Sequence, residues 1–139
     1  MSDIYDRVRY AMLTGAFDWT ALGLRLAAWS GELDFAADDT DVDDIEARAL
    51  ATLLGFSLPV TGLTVTTDGR AQTDPIVIPG LTFGQELTFF TFVEYNEADE
   101  GASTLVLFID DAFELPFATN GLDITVQPDW IEERGWWRP

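Results

Sequence analysis

The segment 86–95, with the sequence ELTFFTFVEY, places apolar side chains on both faces of an extended chain. Phe89 and Val93 fall on one face, and Phe90 and Phe92 fall on the other, because successive side chains of a strand point in opposite directions. Aromatic and β-branched residues favour strands. A strand that is apolar on both faces is typical of the interior of a sheet. We therefore predict a central β-strand here.

Shorter runs on either side of this segment predict further strands. Leu22, Leu24 and Leu26 alternate with small residues and Arg25, which predicts a strand with one buried face over 21–29. Asp68-Gly69 is a hairpin-type turn, and Pro75 restricts the returning chain to a sheet edge or a strand start. Strands are also predicted at 63–67, 70–78, 104–110 and 122–127, while 50–56 is an ambiguous apolar run.

Two short helices are predicted in the first third of the chain. Residues 3–14 carry apolar side chains at helical spacing, with Ser2 or Asp3 as the N-cap and Gly15 as the end. A second helix is predicted from Asp41 to about residue 48, with Thr40 as its cap. The acidic residues near its start complement the helix dipole.

The order of these elements predicts a mainly β fold. About seven short strands at turn-rich spacing are typical of a β-sandwich, of the jelly-roll or immunoglobulin-like kind, or of a barrel. At 139 residues the chain fits a single domain, which we assign to 1–139. Residues 128–139 form a Trp-rich C-terminal tail of that domain.

The formal net charge is −18, from 25 acidic residues against 7 basic ones, all of them Arg. Such a field repels phosphate backbones and anionic lipids, so we expect no nucleic-acid and no membrane partner. The negative field favours a partner with a basic face, and it also suits a protein that works at high salt concentration. The missing Lys residues indicate a GC-rich genome or adaptation to high salt, and the aromatic content of 13% favours the first.

The chain contains no His, no Cys and no Lys. Imidazole-based catalysis, thiol chemistry, Schiff-base formation and the P-loop motif are therefore excluded. We expect no enzymatic activity, no catalytic residues and no cofactor. Only carboxylates remain for chemistry, which leaves a carboxylate-based carbohydrate hydrolase as a remote alternative. The N-terminus lacks the pattern of a signal peptide, so we expect synthesis and assembly in the cytoplasm.

Residues 39–43, Asp-Thr-Asp-Val-Asp, look like the start of an oxygen-rich calcium loop. The EF-hand spacing requires Gly at the sixth position and Glu at the twelfth, but these positions are Asp44 and Leu50 here. The segment is therefore predicted to be a solvated loop and helix cap, and no metal site is assigned.

The tail concentrates aromatic side chains near the C-terminus. Trp130, Trp136, Trp137 and Arg138 are of the two residue types enriched at binding hot spots, and exposed apolar clusters usually mark an interface. The alternative is that the tail folds back and caps its own sandwich. Both interpretations stay open, and the terminal position of the last three favours a partner.

The same order of elements resembles a known family of proteins. The helix at 5–13 is followed by Gly15 and Asp18, and the strand at 22–28 leads through an acidic segment to the helix ending near 45–49. The later matching segments are 90–95, 105–110 and 120–126. This pattern is similar to small virion structural proteins of tailed bacteriophages and prophages. The chain departs from them by lacking a Gly-rich "GGxTL" stretch near 55–63 and by its Trp-rich tail.

The resemblance implies a β-sandwich component of a virion, and it supplies no catalytic residues. The leading hypothesis is a minor capsid or decoration (cement) protein that binds and stabilises the capsid shell. The alternative is a tail, head–tail connector or host-recognition module. The expected partners are the major capsid protein or other virion proteins. The chain is also expected to form a homo-oligomer, with a trimer as one option, and to reside in the virion after assembly in the host cytoplasm.

Overall fold

A computed structural model of the chain describes residues 2–32, 35–48, 50–67, 69–110 and 115–127. Its α-helices are α1 (Asp6–Leu13) and α2 (Val42–Ala47), and short 3-10 helices span Trp19–Ala21 and Glu100–Ala102. The strands are β1 (Ser2–Ile4), β2 (Leu24–Gly31), β3 (Ala51–Phe56), β4 (Thr64–Val65), β5 (Ala71–Gln72), β6 (Ile76–Ile78), β7 (Glu86–Leu87), β8 (Phe89–Glu94), β9 (Thr104–Ile109), β10 (Phe117–Ala118) and β11 (Ile124–Val126).

Five of these strands form one antiparallel sheet in the order β1-β9-β8-β2-β3. The central position of β8 confirms the prediction made from its two apolar faces. Phe92 pairs with Leu26 of β2 and with Leu107 of β9, and all three side chains are buried. A strand that is apolar on both faces thus has a partner strand on each side.

Three two-stranded antiparallel ribbons, β4-β5, β6-β11 and β7-β10, accompany this sheet. Their buried side chains, such as Ile78, Leu87 and Val126, share a core with Phe90 and Phe92 of the central strand. The ribbons therefore form a second β layer over one face of the sheet.

The opposite face of the sheet is buried as well. Trp29, Phe89 and Phe108 lie there and pack with Val42 and Ile45 of α2. The prediction of a half-buried strand over 21–29 is therefore wrong for its second half, because Ala27 and Trp29 on the other face are buried in the cluster that contains α2.

These layers confirm the predicted class, a mainly β, sandwich-like fold decorated by short helices. The ambiguous run at 50–56 is strand β3. β4 pairs antiparallel with β5, as the hairpin predicted at Asp68-Gly69 requires, although Asp68 itself lies outside the described residues. Pro75 immediately precedes β6, which agrees with a strand start.

The predicted helix over 3–14 is wrong at its start. Ser2–Ile4 form edge strand β1, which pairs with β9, and helix α1 begins only at Asp6. The N-cap is Tyr5, whose side chain makes no capping hydrogen bond, so neither Ser2 nor Asp3 has that role. Ile4 and Val8 are both buried, which explains why their spacing resembled one helix face.

The strand predicted over 86–95 is interrupted at Thr88. Its backbone N–H donates to the carbonyl of Trp29 at 2.8 Å, and its hydroxyl donates to the carbonyl of Gly31 at 2.8 Å. The chain passes at this residue from the ribbon strand β7 into the central strand β8.

Candidate functional site

The residues assigned from sequence to a partner interface, Trp130, Trp136, Trp137 and Arg138, lie outside the described residues. Any interaction surface within the described part must therefore be built from other side chains.

One such surface lies where two loops meet, at 79–85 and 119–123; we call it the loop tip. The Thr119 backbone N–H donates to the Gln85 carbonyl at 2.7 Å, and the Gly84 N–H donates to the Thr119 carbonyl at 2.8 Å. The Asp123 carboxylate accepts a 2.8 Å hydrogen bond from the backbone N–H of Gly80. The Thr119 hydroxyl, in a buried residue, donates to a carbonyl of the first loop. Both loops are thus held in place by specific hydrogen bonds.

The loop tip presents two large apolar side chains to solvent. Phe83 is 78% exposed and Leu122 is 67% exposed. The two loops touch beside them, since a Cβ built on Gly121 would lie 3.8 Å from the Phe83 Cβ. Gly121, with φ of +80°, takes a conformation that favours glycine and immediately precedes the exposed Leu122. Large apolar groups held outside the core on ordered loops are typical of a contact surface.

The loop tip lies within a stretch of one charge sign. Residues 71–127 contain no Lys, Arg or His, whereas acidic residues recur from Asp74 to Asp123. Glu86, next to the tip, is exposed. A partner that covers the tip would therefore be favoured by basic side chains around its own apolar contact.

Carboxylates of the acidic segment at 39–44 make hydrogen bonds that cap α2 and hold the loop before it. Asp41 caps α2 by accepting the Asp44 backbone N–H at 3.1 Å, and the Asp44 carboxylate accepts the backbone N–H and the hydroxyl of Thr40. The prediction of Thr40 as the cap is therefore wrong by one residue, although the helix cap itself is confirmed. The Thr40 hydrogen bonds are the main reason why the pKa of Asp44 lies below its ordinary value.

Asp39 is not solvated, contrary to the prediction of a solvated loop. It is 8% exposed, and one carboxylate oxygen accepts a hydrogen bond from Arg48 Nη1 at 2.7 Å. Near this pair, burial raises the pKa of the Tyr5 phenol, and the negative charge of Asp39 raises it further. Among the described residues no group of three or more acidic, His or Cys side chains has the arrangement of a metal site.

Four clefts on the described surface have volumes of 240, 270, 310 and 280 Å³. These values lie near or below the lower end of small-molecule sites, roughly 300–1,000 Å³. Each cleft is lined by one carboxylate, so none of the four offers the facing pair that glycoside hydrolysis requires. The carboxylates are, in the same order, Asp18, Glu97, Glu46 and Glu94.

The 270 Å³ cleft is flanked by a stacked pair. The Arg25 guanidinium lies 4.1 Å from the centroid of the Tyr95 ring, and the Tyr95 hydroxyl donates to Glu100 at 2.8 Å. This hydrogen bond is the first cause of a raised pKa for the half-buried Tyr95. A cationic group held over an aromatic face can contact a partner.

The sequence did not single out Phe83 or Leu122. Both lie near turn residues in the sequence, Phe83 after Pro79-Gly80 and Leu122 after Asn120-Gly121. A turn pattern does not show that a nearby apolar side chain stays outside the core. The available signal was a bulky apolar residue flanked by turn residues.

No helix in the described ranges has the length and apolar character needed to cross a membrane. Comparison of the chain with protein-family models, with curated proteins and with solved structures found no match in any of the three.

Proposed function

We propose that this protein is a virion structural protein of a tailed bacteriophage, a minor capsid or decoration protein that binds the capsid shell and stabilises it by protein–protein contacts. The observation that carries the proposal is the loop tip, where Phe83 and Leu122 are held in solvent by hydrogen-bonded loops on a β scaffold. The family resemblance of the sequence supplies the virion context.

The mechanism is adhesion. Complete burial of two side chains such as Phe83 and Leu122 contributes about 3–6 kcal/mol. Association costs at least about 4 kcal/mol in lost translational and rotational freedom. One loop tip alone therefore binds weakly, and we expect further contacts, including Trp136 and Trp137 of the tail, to complete the interface. Copies repeated over a symmetric shell stabilise many seams at once.

The charge distribution supports a partner surface with basic groups around an apolar recess. The loop tip belongs to a stretch without basic residues, so its field attracts such a surface at long range. Attraction of this kind is screened by salt, because the Debye length falls to about 3 Å at 1 M. Binding should therefore weaken, without vanishing, as the salt concentration rises.

The alternative within the same class is a tail, head–tail connector or host-recognition module that uses the same tip in few copies per particle. A carboxylate-based carbohydrate hydrolase gains no support from these four clefts, because each is lined by a single carboxylate.

The proposal is tested by co-sedimentation of the purified protein with phage particles that lack it, produced from a deletion of its gene. The double variant F83S/L122S should lose at least tenfold in affinity, which corresponds to about 1.4 kcal/mol. The matched control is L58S, which removes an apolar side chain that is 50% exposed on a different loop. Retained binding by F83S/L122S, or equal loss in the control, would contradict the assignment of the loop tip.

A further inference from the structure

We propose that the outer face of α1 is a self-association surface that binds a second copy of this chain. The inference does not depend on the virion function, because it concerns a different surface and uses the isolated protein as its own partner.

The exposed side of α1 carries two large apolar side chains in addition to the charged Asp6, Arg7 and Arg9. Val8 is buried against the core, and the opposite side of the helix carries Tyr10, 72% exposed, and Leu13, 89% exposed. A short surface helix normally places polar residues there. We call Tyr10 and Leu13 the α1 ridge.

A cleft lies on each side of this ridge. The 240 Å³ cleft is lined by Met12, Trp19 and Val65, and the 280 Å³ cleft is lined by Tyr10 and by other residues at the end of α1. Phe17 lines both clefts, so the two meet there. The surface therefore has a protruding apolar row beside recesses that suit single side chains better than a small-molecule ligand.

A ridge and recesses on the same patch make it self-complementary. In a two-fold dimer the same patch of each subunit faces the other, so the ridge of one copy can enter the recess of its partner and the reverse. Helices pack in this manner, with rows of side chains fitting into grooves. A partner of a different kind would need a matching shape, whereas a second copy supplies it.

The charges around α1 also favour a second copy. The charged groups on α1, in its ion pairs and in its two clefts carry a net charge of −2 in a chain whose total is −18; they are Arg7, Arg9, Asp3, Asp6, Asp18 and Glu94. The cations on the helix are matched by carboxylates: Arg7 Nη2 lies 3.2 Å from Glu94, and Arg9 Nη2 lies 2.6 Å from Asp3. Two copies of an acidic protein repel each other least where their surfaces are near neutral. A strongly basic partner would instead be drawn to the acidic stretch at 71–127.

The test is sedimentation velocity of the full chain over a range of protein concentrations, at low and at high salt. We expect the wild type to reach twice the monomer mass of 15.4 kDa, more readily at high salt because the net repulsion is screened. The variant Y10S/L13S should require at least tenfold more protein to associate, without any change of charge. The matched control is F83S, which removes a side chain of similar exposure from the loop tip and should associate as the wild type does.

Hydrogen exchange of the wild type gives a second readout that needs no variant. Backbone amides of Asp6–Leu13 should exchange more slowly at high protein concentration than at low concentration. A wild type that stays at 15.4 kDa under every condition would overturn the proposal, and so would association that leaves the α1 amides unprotected or that F83S abolishes. Failure of these tests would not affect the proposal that the loop tip binds particles. Failure of the particle-binding test would likewise not affect self-association through α1.

Discussion

The indole Nε1 of Trp29 donates a hydrogen bond to the Thr91 hydroxyl at 2.9 Å, across two strands of the central sheet and out of contact with solvent. Trp29 is on β2 and Thr91 is on β8, and the indole also stacks on Phe89 with ring centroids 5.7 Å apart. The bond lets a large aromatic residue be buried completely, because its one polar atom is satisfied.

Replacement of Thr91 by Val should therefore destabilise the fold by about 1–3 kcal/mol, since it leaves the buried indole N–H without an acceptor. Equilibrium unfolding in urea measures the change. The control T91S keeps the hydroxyl and should lose less stability than T91V. If T91V is as stable as the wild type, the hydrogen bond does not contribute as described.

Removal of the Tyr5 hydroxyl, unlike removal of the Thr91 hydroxyl, is predicted not to destabilise the fold. This side chain is fully buried, and its hydroxyl has no hydrogen-bond partner among the described residues. A buried hydroxyl without a partner carries an uncompensated desolvation cost. The variant Y5F should therefore unfold at an equal or higher urea concentration than the wild type. A loss of more than about 1 kcal/mol, as expected for removal of a satisfied hydrogen bond, would show that the hydroxyl has a partner such as a buried water.

The helix cap at Asp44 predicts a dependence on pH. The pKa of this carboxyl is lowered from the ordinary value of 3.8, chiefly by hydrogen bonds from Thr40, so its ionised form stabilises the folded state. That contribution is complete above the unfolded pKa and is lost as the pH falls through the lower folded pKa. The stability difference between the wild type and D44N should therefore shrink as the pH is lowered below about 4. A difference that stays constant across this range would mean that the charge of Asp44 does not matter.

The C-terminal tail predicts a separation between binding and stability. Removal of residues 136–139 deletes Trp136, Trp137 and Arg138, which we assign to a partner interface. The truncated chain should bind particles more weakly while keeping its melting temperature. If it simply unfolds at lower temperature, the tail belongs to the core of the domain and the interface assignment is wrong.

The prediction from sequence was most accurate for elements in which a single hydrophobic pattern dominates. β8 was recognised as central because Phe90 and Phe92 on one face and Phe89 and Val93 on the other all need burial. Strand β1 was missed because three residues are too short for a period, and Ile4 and Val8 are spaced as on one helix face although they lie on different elements.

The buried second face of β2 was missed for a different reason. Ala27 is too small to indicate which side is buried, and the cover over Trp29 comes from a separate element, α2, whose position on the sheet the spacing within β2 does not show. Likewise, the exposure of Phe83, Leu122, Tyr10 and Leu13 depends on how the loops and α1 sit on the sheet. The spacing of residues along the chain carries no information about this exposure, so neither the loop tip nor the α1 ridge was identified from the sequence.

The copy number of this chain in purified phage particles tests the central claim most directly. Quantitative mass spectrometry against the major capsid protein measures it, on particles from a culture that carries the gene. A decoration protein that binds the shell at repeated positions should be present in hundreds of copies per particle. A dozen copies or fewer would indicate the tail or connector, and absence of the chain from particles would contradict the account.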